Sequence, residues 1–170
     1  PVPVALALPP VPTRATGDHW GPFHELGHNH QWRPWVLPRT TETTCNLWSV
    51  YMFELIGIDQ GHDQVSPSSQ AQRVRDYLAT GPDFDQWEVW TALVTYLQLK
   101  DGFGWSFYTT LFTRYRQEGL SPSDDAARID EWVRQSSIVA NRNLGPFYSA
   151  WGFPTSQTVL DEIALLPTWD

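Results

Sequence analysis

The chain has 170 residues, 41% hydrophobic and 14% aromatic, enough for one compact domain with a real core and too apolar for intrinsic disorder. A formal net charge of −8 argues against nucleic acid, whose binders carry basic patches, and against an anionic membrane surface. The chain contains no apolar run of about 18 residues that could span a membrane as a helix, and its single cysteine, Cys45, leaves no internal disulfide.

Residues Pro1 to Pro12 are apolar but lack the basic start of a signal peptide, and four of the first ten are Pro. Residues 1–17 read as a Pro-rich linker or a truncated upstream segment, and 18–170 as one helical domain. A first helix is expected from Trp20 or Pro22 to Gln31, with Pro22 tolerable in its first turn. Pro34 and Pro38 break the chain. Thr40 or Thr41 can cap a second helix that runs to Leu55 and stops at Gly57. Ser66-Pro67 signals a third, ending near Gly81-Pro82.

Trp87, Trp90, Leu93, Val94 and Leu97 follow the helical period. Phe103, Phe107, Leu111 and Tyr115 repeat every four positions, with Asp101-Gly102 expected to separate these two helices. Ser123-Asp124-Asp125 places a cap and acids before a helix carrying Ile129, Trp132 and Val133. A short element follows Gly145-Pro146, and a last helix carries Val159, Leu160, Ile163 and Leu166. Strand alternation is absent. The pattern predicts a mainly α unit of about six to eight helices.

The segment His24-Glu25-Leu26-Gly27-His28 carries the chemistry. Two His four positions apart share one helix face, so both imidazoles can enter one coordination sphere. Glu25 stands beside them as a candidate general base toward a water at the metal. A hydrolytic zinc site needs a third protein ligand. Glu42, fourteen positions after His28 and in the first turn of the second helix, is the candidate. Glu54 is its rival, and Glu42 can also be read as an acid stabilised by the helix dipole. Asn46, one turn on, reads equally as a polar core residue or as a group that holds a ligand in place. Gly27 allows another backbone to pass close.

Other residues carry weaker signals. His30 reads as a rim residue, and His19 and His62 as exposed or satisfied histidines. Cys45 reads as a small core residue, since nothing near it marks an activated thiolate. Trp32, Trp35 and Trp48 flank the motif and can either pack in the core or stack on a sugar or side chain. Tyr51, Tyr148 and Arg142 are possible oxyanion donors.

At these residues the chain resembles a known family. Gly21-Pro22-Phe23-His24-Glu25-Leu26-Gly27-His28-Asn29-His30-Gln31 is similar to the active-site segment of the enhancin-like (M-sixty) zinc peptidases. Thr41-Glu42-Thr43-Thr44-Cys45-Asn46-Leu47-Trp48-Ser49 is similar to that family's following helix. The similarity continues in order through Trp90-Thr91-Ala92-Leu93, Phe103-Gly104-Trp105, Asn143-Leu144-Gly145-Pro146-Phe147 and Trp151-Gly152. Within the family, the segment Thr40 to Tyr51 is especially similar to animal TRP channel-associated factors.

The resemblance implies a gluzincin-type metallopeptidase, with Zn²⁺ held by His24, His28 and Glu42 and with Glu25 as catalytic residue. The family's catalytic domain normally begins well upstream of this motif, so the chain is expected to be the C-terminal part of a larger peptidase domain. Many relatives cut mucin-like, O-glycosylated proteins, which implies a protein or glycoprotein substrate. Location is left open by the resemblance, with the bacterial relatives favouring a secreted or cell-surface one. The channel-associated factors imply the alternative: a non-catalytic interaction or regulatory module, inside cells at the plasma membrane, with a membrane-protein partner.

Overall fold

A computed structural model describes residues 20–58 and 61–169. The expectations for the Pro-rich start and for His19 lie outside the described residues. Within them the chain forms eight α-helices and no strand. These are α1 (Trp20–His28), α2 (Thr41–Leu55), α3 (Pro67–Ala79), α4 (Val89–Phe103), α5 (Trp105–Gln117), α6 (Asp125–Ala140), α7 (Gly145–Ala150) and α8 (Gln157–Ile163). Single 3-10 turns cover Arg33–Trp35, Asp63–Val65 and Phe84–Gln86. Asn143 and Thr168 form one isolated parallel bridge.

Helix α4 is the central element. Thr91 to Leu97 and Leu99 are all buried, and α2, α3 and α5 pack against it. Helix α6 packs on α5 and α8. Trp20, Trp35, Trp87, Trp132 and Trp151 are buried, so half of the ten indoles build the core. Each fully buried large apolar side chain contributes about 1.5–3 kcal/mol relative to exposure.

Several helix ends differ from the sequence pattern for identifiable reasons. Helix α1 stops at His28, short of Gln31. The amides of Asn29, His30 and Gln31 bond three residues back, to Leu26, Gly27 and His28, and so tighten the last turn. Thr40 occupies the N-cap of α2 without capping it, because its hydroxyl donates to the Leu37 carbonyl at 2.9 Å. Helix α4 runs through Asp101-Gly102 and breaks at Gly104, whose φ of 73° suits glycine. Gly102 stays helical and lets the Trp169 ring lie close, where an added Cβ would meet it at 2.6 Å. Leu166 lies beyond the end of α8 and packs on the core from the following segment.

The remaining caps follow the pattern. Ser66 accepts from the Ser69 amide, Asp124 from the Ala127 amide, and Gly57 turns the chain after α2 with φ 74°.

Candidate metal centre

Helix α1 lies against α2 at a backbone-to-backbone contact made possible by Gly27. A Cβ there would stand 2.9 Å from both the Cα and the carbonyl oxygen of Cys45. This approach brings the His24–His28 face of α1 over the first turn of α2. His24 Nε2 is 3.0 Å from Glu42 Oε2, and His28 Nε2 is 3.8 Å from the same oxygen. The two imidazoles meet edge to face, with centroids 5.1 Å apart. Glu42 is exposed, while the histidines are partly covered, so the cluster opens to solvent on one side. Glu25 is exposed on the same helix.

Hydrogen bonds behind the histidines decide which nitrogen faces Glu42. Asn46 Oδ1 accepts from the Trp20 indole N–H at 2.9 Å and lies 2.8 Å from His24 Nδ1. An indole N–H only donates, so the amide oxygen must face it. His24 Nδ1 therefore donates to Asn46, which leaves Nε2 as the nitrogen turned toward Glu42.

His28 is held in a similar way. Gln31 Oε1 is 3.1 Å from His28 Nδ1. The Gln31 amide nitrogen donates to the Thr41 carbonyl and the Thr44 hydroxyl, which turns its oxygen toward His28. Both histidines thus present Nε2 to the space beside Glu42.

Cys45 is fully buried, as a small core residue would be, yet its Sγ lies 3.0 Å from His28 Nδ1. It forms a group with His24 and His28 whose candidate ligand atoms all fall within 4.8 Å. Two observations set it apart from Glu42. It stands on the Nδ1 side of His28, and its thiol donates to the Thr41 carbonyl at 3.3 Å. Burial, with help from the charges of Glu42 and Glu25, pushes the thiol up to about 12, so it stays protonated at neutral pH.

The other candidates are distributed around the fold. Glu54, the rival ligand, lies near the far end of α2, bonded to Lys100 at 2.8 Å and to the Trp105 indole at 2.7 Å. Tyr148 is buried in the core with its hydroxyl 2.8 Å from Ser136, which removes it as an oxyanion donor. Among the described residues the Arg142 side chain reaches only the Asn141 carbonyl. Tyr51 is half-buried, edge-on to Trp48 and Trp105. Trp35 is core, whereas Trp32 and Trp48 keep part of their surface outside. His30 stacks near Trp48, with centroids 4.7 Å apart. His62 is satisfied between Trp20 and Trp90, and accepts from the Gln64 amide.

Sequence reasoning missed the contacts that Gln31 and Cys45 make with His28. Gln31 follows His28 by three positions, a helical-neighbour spacing that could have flagged it. Nothing in the spacing marks Cys45, whose contact depends on how closely the helices approach.

Comparison with known proteins adds a family. The family described as Peptidase M60, enhancin and enhancin-like matches residues 11–152. The chain is 46% identical over 154 residues to human TRPM8 channel-associated factor 2, covering 88% of this chain and 17% of that protein. It is 44% identical over 155 residues to TRPM8 channel-associated factor 1 of Bos taurus, covering 89% and 17%. A functionally unknown conserved protein from Bacillus anthracis str. Ames has a similar structure, with TM-score 0.77 and 28% identity over 91% of this chain and 32% of that one. A metallopeptidase from Bacteroides thetaiotaomicron shares the fold at TM-score 0.72 and 21% identity, over 91% and 31%. The chain thus spans 17% of the length of these two curated relatives.

Proposed function

The chain belongs to the Peptidase M60, enhancin and enhancin-like family, and on that footing we propose that it works as a zinc-dependent metalloendopeptidase. In this reading His24, His28 and Glu42 hold the metal and Glu25 is the general base. The observation that carries it is the convergence of two imidazole Nε2 atoms and one carboxylate oxygen, at 3.0 and 3.8 Å, on an open face.

The donor set fits zinc. Two neutral imidazoles and a carboxylate are a common hydrolytic zinc shell. In a tetrahedral shell with bonds of roughly 2.0–2.1 Å, neighbouring ligand atoms stand roughly 3.4 Å apart, between the two distances found here. When bound, zinc polarises the scissile carbonyl and lowers the pKa of the attacking water.

The chain's own groups supply the rest. Glu25 takes the proton from the attacking water on its carboxylate and passes it to the leaving amine. Asn46 and Gln31 hold the protons of His24 and His28 on Nδ1, which keeps each Nε2 available as a ligand. The partly exposed indoles of Trp32 and Trp48 offer faces for a peptide side chain or a sugar, which supports a protein substrate of the mucin-like, O-glycosylated kind.

The test is cleavage of matched bare and O-glycosylated peptides by the zinc-loaded chain, beside a Glu25→Gln variant. Cleavage by the parent alone, with zinc retained in both, supports the reading. Equal turnover by Glu25→Gln would remove Glu25 as base.

A second reading rests on the 46% identity to a TRPM8 channel-associated factor. In it the domain is a protein-interaction module whose partner is a membrane protein, and no helix among the described residues could itself cross a membrane. A folded, zinc-loaded chain that cleaves none of these peptides favours this second reading.

A further inference from the structure

A cavity of about 610 Å³ opens beside the metal centre, with Gln31 and Thr41 in its lining. Gln31 bonds His28 at Nδ1 and Thr41 directly precedes Glu42, so the cavity adjoins residues that support the centre. Its lining also includes Arg33, Arg39 and Arg128. Three of the chain's eleven Lys and Arg side chains therefore gather in one hollow of a molecule with net charge −8. Asp85 and Asp125 in the same lining pair with Arg39 and Arg128, so the excess positive charge is that of Arg33.

Each arginine has a distinct state. Arg33 is exposed and has no carboxylate partner among the described residues. Arg39 pairs with Asp85 at 3.1 Å and has φ 65°, a left-handed conformation that a non-glycine residue rarely adopts. Backbone strain of this kind gathers at functional sites. Arg128 is only 7% exposed, and one guanidinium nitrogen bonds Asp125 at 2.8 Å. Its Nε has no hydrogen-bond partner among the described residues. Arg33 and Arg128 also line a second cavity of about 340 Å³, so the basic surface extends from one hollow to the next. Leu37, Phe84 and Ile129 add apolar lining suited to the stem of a side chain or the ring of a sugar.

We propose that this cavity is a substrate subsite for a carboxylate lying close to the scissile bond. It rests on the peptidase reading and names the substrate feature that reading leaves open. The guanidinium forks supply paired N–H donors matched to a carboxylate. The carboxylate is that of an acidic side chain or of an acidic sugar on the substrate.

The experiment measures binding without turnover. Fluorescent peptides carrying Glu or Gln at successive positions, and glycopeptides with an acidic or a neutral sugar, are titrated onto zinc-loaded Glu25→Gln protein. One acidic member should bind roughly tenfold more tightly than its neutral partner, the scale of one charge-assisted contact. The pair that shows this preference identifies the source of the carboxylate. Arg33→Gln and Arg39→Gly should each reduce the preference. The second also relieves an unfavourable φ, so loss of fold would not explain the result. Equal affinities within every pair would overturn the subsite, as would a preference that neither substitution changes. Cleavage by the parent protein is read separately, so failure of the subsite and failure of the peptidase reading give different results.

Discussion

At the residue scale, the site depends on two amides as much as on its candidate ligands. Asn46 is nearly buried and serves both Trp20 and His24. Asn46→Ala should weaken zinc binding by roughly 10–100-fold, the usual cost of removing a partner of a ligating histidine. It should also destabilise the fold by about 1–3 kcal/mol, because the Trp20 N–H loses its acceptor. Chelator competition and chemical denaturation read the two effects separately, and unchanged zinc affinity in a folded variant would refute the positioning role. Glu25→Gln should behave differently, losing cleavage while zinc affinity and stability stay near those of the parent. His24, Glu25 and His28 stand out from spacing, because a helix fixes the geometry of i and i+4, whereas Glu42 on α2 stood beside Glu54 as an alternative until the family resemblance favoured it. The contact of Gln31 with His28 carried only the weaker i,i+3 signal, and Gln31 makes it from just beyond the end of α1.

At the element scale, the pairing of α1 with α2 sets the site. Gly27→Ala would place a methyl 2.9 Å from the Cys45 backbone, which cannot give way as a side chain could. The helices must separate, at a cost of about 1–3 kcal/mol, and Glu42 must move from the histidines. Lower stability together with weaker zinc uptake is the expected result, and a Gly27→Ala protein that keeps both would refute the close-approach argument.

The far end of α2 is tied down by Glu54, whose bonds to Lys100 on α4 and to Trp105 on α5 join three helices. Burial alone would raise this carboxyl, but the bonds from Lys100 and Trp105 outweigh it and hold it below 4.5. A depressed folded value means that ionised Glu54 adds stability in full above the ordinary range and loses it as pH falls through the lowered value. Lys100 is raised above 10.5: burial lowers it, but bonds to Glu54 and Asp101 outweigh that, so its share is lost as pH rises through the raised value. Denaturant midpoints from pH 7 down to pH 3 should therefore fall less steeply for Glu54→Gln than for the parent. Identical slopes would show that the cluster adds nothing. This tie was not legible in the sequence, where Glu54 stood as a rival ligand. Three separate helices must pack before its partners appear.

At the scale of the whole molecule, the helical order was legible and several boundaries were not. Caps at Ser66 and Asp124 and the glycine after α2 are local features that act through their own hydrogen bonds or φ. The break between α4 and α5 was misplaced because Asp101-Gly102 looks like a turn in isolation. In the fold, Gly102 is helical and its lack of a side chain makes room for the Trp169 ring, and Gly104 makes the turn. The cavity beside the centre was also invisible, since Arg33, Arg39 and Arg128 line one hollow only when the 3-10 turn Arg33–Trp35 and helix α6 come together.

The central claim is that His24, His28 and Glu42 form a zinc site. The most direct measurement is metal content of the purified, folded chain by elemental analysis after dialysis without chelator, beside a His28→Ala variant. The account predicts about one zinc per parent chain and a large loss in the variant. A folded parent that holds no zinc and takes up none when it is added, or a variant that keeps it, would contradict the account.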